Sequence, residues 1–237
     1  MYTFYMKNKN SVSILLFLPL ALLFFSCTDF FSTSLAPWAA RNPDKLVPPV
    51  TVSNVDELIS MAENNPDLSL SVLKKINEAL GKDMPKKDKL KLQTASVGAA
   101  VNAAGLGQAV LGSLDDLETV LTEEDAKDLF FKALDKMDNV EDAASVLFNT
   151  LPKSGEAFDD FTKEASVDEL ALAAMVLICG EAKKNGDDLD GYIDNFVHNP
   201  NDTEELAIAL ALAAVVEERK DELSDTFKNI LKSINLI

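Results

Sequence analysis

Two segments, residues 170–179 and 206–216, are apolar around their whole circumference if coiled as helices, and this constrains the fold more than any other feature. A helix with one apolar stripe can lie on a surface, whereas one that is apolar all round has to be surrounded by other elements. Both segments are rich in alanine and leucine, which favour helix, so each reads as a central helix of the C-terminal half. The chain from Ser53 onward agrees: Val, Thr and aromatic residues form no alternating strand pattern, and Ala, Leu, Glu, Lys and Asp dominate. An acceptor followed by an acid three residues later marks helix starts at Ser53 with Asp56, Thr122 with Asp125, Ser166 with Glu169, and Asp202 with Glu205. Pro66, Pro85, Pro152 and Pro200, with Gly81, Gly155 and Gly186, punctuate these helices. Leu223, Phe227, Ile230, Leu231 and Ile234 fall on one stripe of a last helix and predict a face turned to the core. The expected fold class is all-α, with helical hairpins in a bundle or in a short helical-repeat array.

The repeat reading rests on a likeness of openings. Val167-Asp168-Glu169-Leu170 aligns with Thr203-Glu204-Glu205-Leu206 at a spacing of 36 residues, and Val55-Asp56-Glu57-Leu58 opens in the same way. A period of that size is what stacked helix-turn-helix units produce. The spacing resembles that of tetratricopeptide repeats, but their set of aromatic, Leu-Gly, Ala and Pro positions is not found here.

The N-terminus carries an address. Lys7 and Lys9 precede an apolar stretch of twelve residues, 14–25, which is followed by Ser26 and Cys27. At about 1.5 Å per residue this stretch spans roughly 18 Å, short of a hydrocarbon core of about 30 Å. Pro19 also interrupts it, so a secretory signal is a better reading than a permanent membrane span. The run Leu23-Phe24-Phe25-Ser26-Cys27 resembles the lipobox of bacterial lipoproteins. Leu23 stands one place further back than the usual pattern has it and Phe24 and Phe25 intervene, a relaxed form similar to that of spirochaetes. The resemblance implies cleavage between Ser26 and Cys27, a diacylglyceryl group on the Cys27 sulfur and further acylation such as palmitate. At about 0.8 kcal/mol per buried methylene, several chains make a lasting anchor. The expected organisation is a signal peptide over residues 1–26, a lipidated Cys27 and proline-containing tether over 27–52, and an acidic helical domain over 53–237. The tether holds Pro37, Pro43, Pro48 and Pro49 together with Trp38, the one tryptophan. The expected location is a cell membrane or outer membrane, with the domain in the periplasm or outside the cell.

Charge and cysteines narrow the partners. The chain carries a net charge of −17, and loss of residues 1–26 removes two lysines and no acid, leaving −19. Such a surface opposes nucleic acid and favours solubility away from anionic lipid. The basic residues Lys82, Lys86, Lys87, Lys89 and Lys91 stand against this background as a solvated helix start or a docking point for an acidic partner. With Cys27 lipidated, Cys179 has no partner for an intramolecular disulfide and reads as a buried small apolar residue.

Catalytic signatures are weak. His198 is the sole histidine, so neither a histidine zinc cluster nor a choice of general bases exists, and its place beside Asn199-Pro200 suits a helix end. Residues 185–191 have the acids of a calcium loop, but registering Gly191 at its sixth position puts Val197 where a bidentate Glu belongs. Gly105-Leu106-Gly107 has Val110 where a dinucleotide fingerprint needs its third glycine. The expectation is therefore a protein that is not an enzyme, with no cofactor, catalytic residue or metal.

Residues 95–114 are the unusual stretch, with Gly98, Gly105, Gly107 and Gly112 among Ala, Val and Leu. Each glycine weakens a helix by about 1 kcal/mol, so packing or function must hold the segment. With Phe130 and Phe131 these glycines form the candidate groove for a ligand or partner. The expected function is a membrane-anchored lipoprotein whose helical domain binds or scaffolds other envelope proteins, with homo-oligomers also compatible. The alternative is a small-molecule-binding lipoprotein that works with a transporter.

Overall fold

The computed structural model describes residues 43–106, 137, 139–185, 203–225 and 228, all within the unit that begins at Pro43. Among them the chain is all-α, with eight helices, one short 3-10 turn and no strand. The helices are α1 (Pro43–Leu46), α2 (Val55–Ala62), α3 (Pro66–Leu80), α4 (Lys86–Ala104), α5 (Val140–Thr150), α6 (Gly155–Glu164), α7 (Val167–Lys184) and α8 (Glu204–Glu218); the 3-10 turn is Lys220–Glu222.

The helix starts follow from local chemistry, sometimes one residue away from where the spacing put them. Ser166 caps α7 as read: its hydroxyl accepts from Glu169 N at 3.2 Å, and the Glu169 carboxylate accepts from Ser166 N at 2.8 Å. At α2 the cap position is Asn54, not Ser53, whose hydroxyl bonds the Thr51 hydroxyl instead. Asn54 uses its side chain to fasten the preceding turn, accepting from Thr51 N at 2.8 Å and donating to Pro49 O at 3.1 Å. Thr203 caps α8, accepting from Leu206 N at 3.3 Å. Leu206 is thus the third residue of α8, whereas Leu170 is the fourth of α7, so the spacing of 36 aligns the apolar runs and offsets the caps by one. Thr122 lies outside the described residues.

Packing of the domain reaches further toward the N-terminus than the expected boundary at residue 53. Pro43 occupies the first position of α1, where a missing N–H costs nothing. Asp44 of that turn accepts from the Ser71 hydroxyl of α3 at 2.7 Å, and Val47 and Val50 are buried in the core. Residues 43–52 therefore belong to the folded unit; prolines bar a helix interior there, but they do not prevent intervening valines from being buried. Residues 27–42 lie outside the described residues.

The helices form layers. α4 and α5 pack together as a middle pair, α3 lies against both, and α7 also lies against both. α1 rests on α3, α2 on α3 and α4, α6 on α4, and α8 on α7 with a marginal contact to α5. The seam of α5 and α7 is tight: a Cβ built on Gly180 of α7 would lie 2.2 Å from Ala144 Cβ and 3.3 Å from Val140 O of α5. The seam of α4 and α5 holds a buried polar group. Gln93 Nε2 donates to Thr150 O at 3.2 Å, Ser96 and Thr150 hydroxyls lie 3.0 Å apart, and each hydroxyl also reaches a carbonyl of its own helix. This set satisfies the last carbonyl of α5 inside the core.

The two all-apolar segments have different fates. In α7, Leu170, Ala173, Ala174, Val176, Leu177 and Cys179 are buried, and the remaining large residues, Leu172, Met175 and Ile178, are half-buried. In α8, Leu206, Ile208, Ala209, Leu212 and Val216 are buried, whereas Ala207, Leu210, Ala213 and Ala214 are exposed. The expectation that both are surrounded therefore holds for α7 and fails for α8, which among the described helices rests chiefly on α7.

Candidate interaction face

Of the residues that the sequence marks as a site, the structure describes two. Gly98 is half-buried in α4, where an added Cβ would meet only Ile59 Cγ2 of α2 at 3.9 Å, an ordinary contact. Gly105 ends α4 in the left-handed region, at φ +70°, with its N–H directed to the carbonyls of Val101 and Asn102. Backbone conformation thus favours glycine at position 105, whereas at position 98 the packing leaves room for a larger side chain. Ser26, Cys27, Gly107, Gly112, Phe130 and Phe131 lie outside the described residues, as do His198 and residues 186–191 of the acidic loop. Cys179 is buried, and burial pushes its thiol up to about 12, so it is held protonated.

The lysine-rich start of α4 is largely neutralised. Lys86 reaches Asp160 at 2.5 Å and Glu156 at 2.8 Å on α6, and Lys91 reaches Asp56 at 2.8 Å on α2. Asp83 and Asp88 stand among the other lysines, so this corner ties α4 to its neighbours more than it presents a positive field. No cluster of three or more His, Cys, Asp or Glu that could hold a metal occurs among the described residues. No helix among them is long and apolar enough to cross a membrane.

What the structure does present is α8, fastened at both ends and covered on one side. At its start, Glu204 and Glu205 complement the positive end of the helix dipole. Lys184, at the end of α7, bridges Glu181 at 2.6 Å and Glu205 at 3.3 Å. Burial opposes the charge of both Lys184 and Glu205, but their bonds outweigh it, raising the lysine and holding the Glu205 carboxyl below its ordinary range. Lys153 lies near the same end, its ammonium set over the Phe148 ring at 2.9 Å from the centroid and bonded to the Phe148 carbonyl. Desolvation lowers its pKa to about 8, against the pull of Glu205 and Glu204.

At the far end, Arg219 secures α8 to α6. Its Nη1 donates to Thr162 O at 2.5 Å and Ala165 O at 3.4 Å, while Nε and Nη2 bond Glu222 at 3.1 and 2.7 Å. A guanidinium here supplies donors to the last carbonyls of α6, which have no partner within their own helix. The chain then turns back, with Leu223 buried and Ser224 N donating to Asp168 Oδ1 of α7 at 3.0 Å.

Between these fastenings Ala207, Leu210, Ala213 and Ala214 form an exposed face, flanked by half-buried Ala211 and Val215, with Leu210 itself 44% exposed. Acids mark its ends, Glu204 on one side and Glu217 and Glu218 on the other. An apolar face of small side chains carries no nucleophile or general base; what it can do is receive another apolar surface at close range. Circumferential apolarity could not reveal this face, but residue size could have pointed to it. The outward side of α8 is mostly alanine, while the less buried side of α7 carries leucine, methionine and isoleucine. Gly180 and Arg219 were also invisible to pattern reading, since the glycine looks like any other small residue in an apolar run and the arginine like a solvated helix end.

Compared with models of known protein families, with curated proteins and with solved structures, the chain matches none.

Proposed function

We propose that this chain is a lipid-anchored interaction module. In this reading Cys27 carries the lipid, the helical unit from Pro43 stands off the membrane, and the outer face of α8 receives a partner protein of the cell envelope. Covalent geometry limits the stand-off: residues 28–42 span at most about 55 Å at up to about 3.6 Å per residue. The observation that carries the reading is the mismatch within α8. Its sequence is apolar all round, yet the described helices cover one side of it, and Leu210 and its alanine neighbours are exposed.

Two measurements test the two halves of the proposal. Metabolic labelling of the full chain with palmitate in a bacterial host should mark the wild type and not Cys27→Ala; equal labelling of both would remove the anchor. A photo-crosslinking residue at position 210, in native membranes, should give one discrete adduct that is absent when the same residue replaces the exposed Glu164 of α6. Identical adducts from both positions, or none, would overturn the interaction face. A small molecule retained in native mass spectrometry without any adduct would turn the reading toward a ligand receptor.

A further inference from the structure

We draw no further inference here: the strongest candidate, the exposed apolar face of α8 around Leu210, belongs to the site already described, and nothing in the structure shows what covers it.

Discussion

α7 and α8 are written in nearly the same alphabet and do different jobs. Both open on acids behind a hydroxyl cap, and both run for two to three turns through Ala, Leu, Ile and Val. α7 packs against α4, α5 and α8, while α8 has α7 as its main support among the described helices. The contrast teaches that circumferential apolarity sets a demand for cover without saying who supplies it. Among the described helices, α7 receives that cover and α8 receives half of it.

Core truncation should break the symmetry most plainly. Leu177 of α7 is fully buried, and Leu177→Ala should cost about 2–5 kcal/mol in urea unfolding. Leu210→Ala, the same chemical change on α8, should stay within about 0.5 kcal/mol. A large loss at Leu210 would mean that its face is covered within the folded chain, and would remove the basis of the proposed interaction.

The glycines give the next largest effect. Gly180→Ala forces a methyl to within 2.2 Å of Ala144 Cβ, so the α5–α7 seam must open, at about 1–3 kcal/mol. Gly98→Ala meets only an ordinary contact and gains helix propensity, so it should stabilise by about 0.5–1 kcal/mol. Opposite signs in parallel unfolding curves would place the tight approach at α7 and not in the glycine-rich part of α4.

Capping separates the two helices more finely. Ser166→Ala removes both bonds of the hydroxyl, the one it accepts from Glu169 N and the one it donates to the Glu169 carboxylate, and should cost about 1 kcal/mol, whereas Thr203→Ala removes one long bond and should cost less. Equal losses in thermal melts would show that the two caps contribute alike despite their geometry.

The smallest effect concerns Lys153 beside the start of α8. Its folded pKa of about 8 lies below the ordinary 10.5, so the ammonium is disfavoured in the folded state wherever both states are charged. This penalty is complete below pH 8 and is relieved as pH rises from 8 to 10.5, where the folded state gives up its proton first. Stability should therefore gain a small rising component across that window. Lys153→Met should raise the urea midpoint at pH 7 and remove that component. An unchanged difference between wild type and variant from pH 7 to 10.5 would show that the lysine is not desolvated.

Much of the architecture was legible from local rules because helix formation is local. The absence of alternating strand patterns announced an all-α domain, and Ser166 with Glu169 marked the start of α7 to the residue. Caps at Asn54 and Thr203 were placed one residue off because several neighbouring side chains could serve and only backbone geometry selects among them. The boundary at residue 53 was drawn by prolines, which report where a helix interior cannot be, while the burial of Val47 and Val50 depends on what α3 and its neighbours bring near them. Of the candidate groove, Gly98 and Gly105 are among the described residues, and composition could not distinguish a glycine needed for a left-handed turn from one merely tolerated.

Helical class, acidity, the lone histidine and the apolar runs follow from the order of residues, because propensity, charge and periodicity are properties of neighbours along the chain. Tertiary structure alone decided that α7 is surrounded and α8 is not, that Gly180 is where two backbones meet, and that Arg219 fastens one helix to the end of another. Each of those facts depends on residues far apart in the chain arriving at the same place, and no local window contains that information.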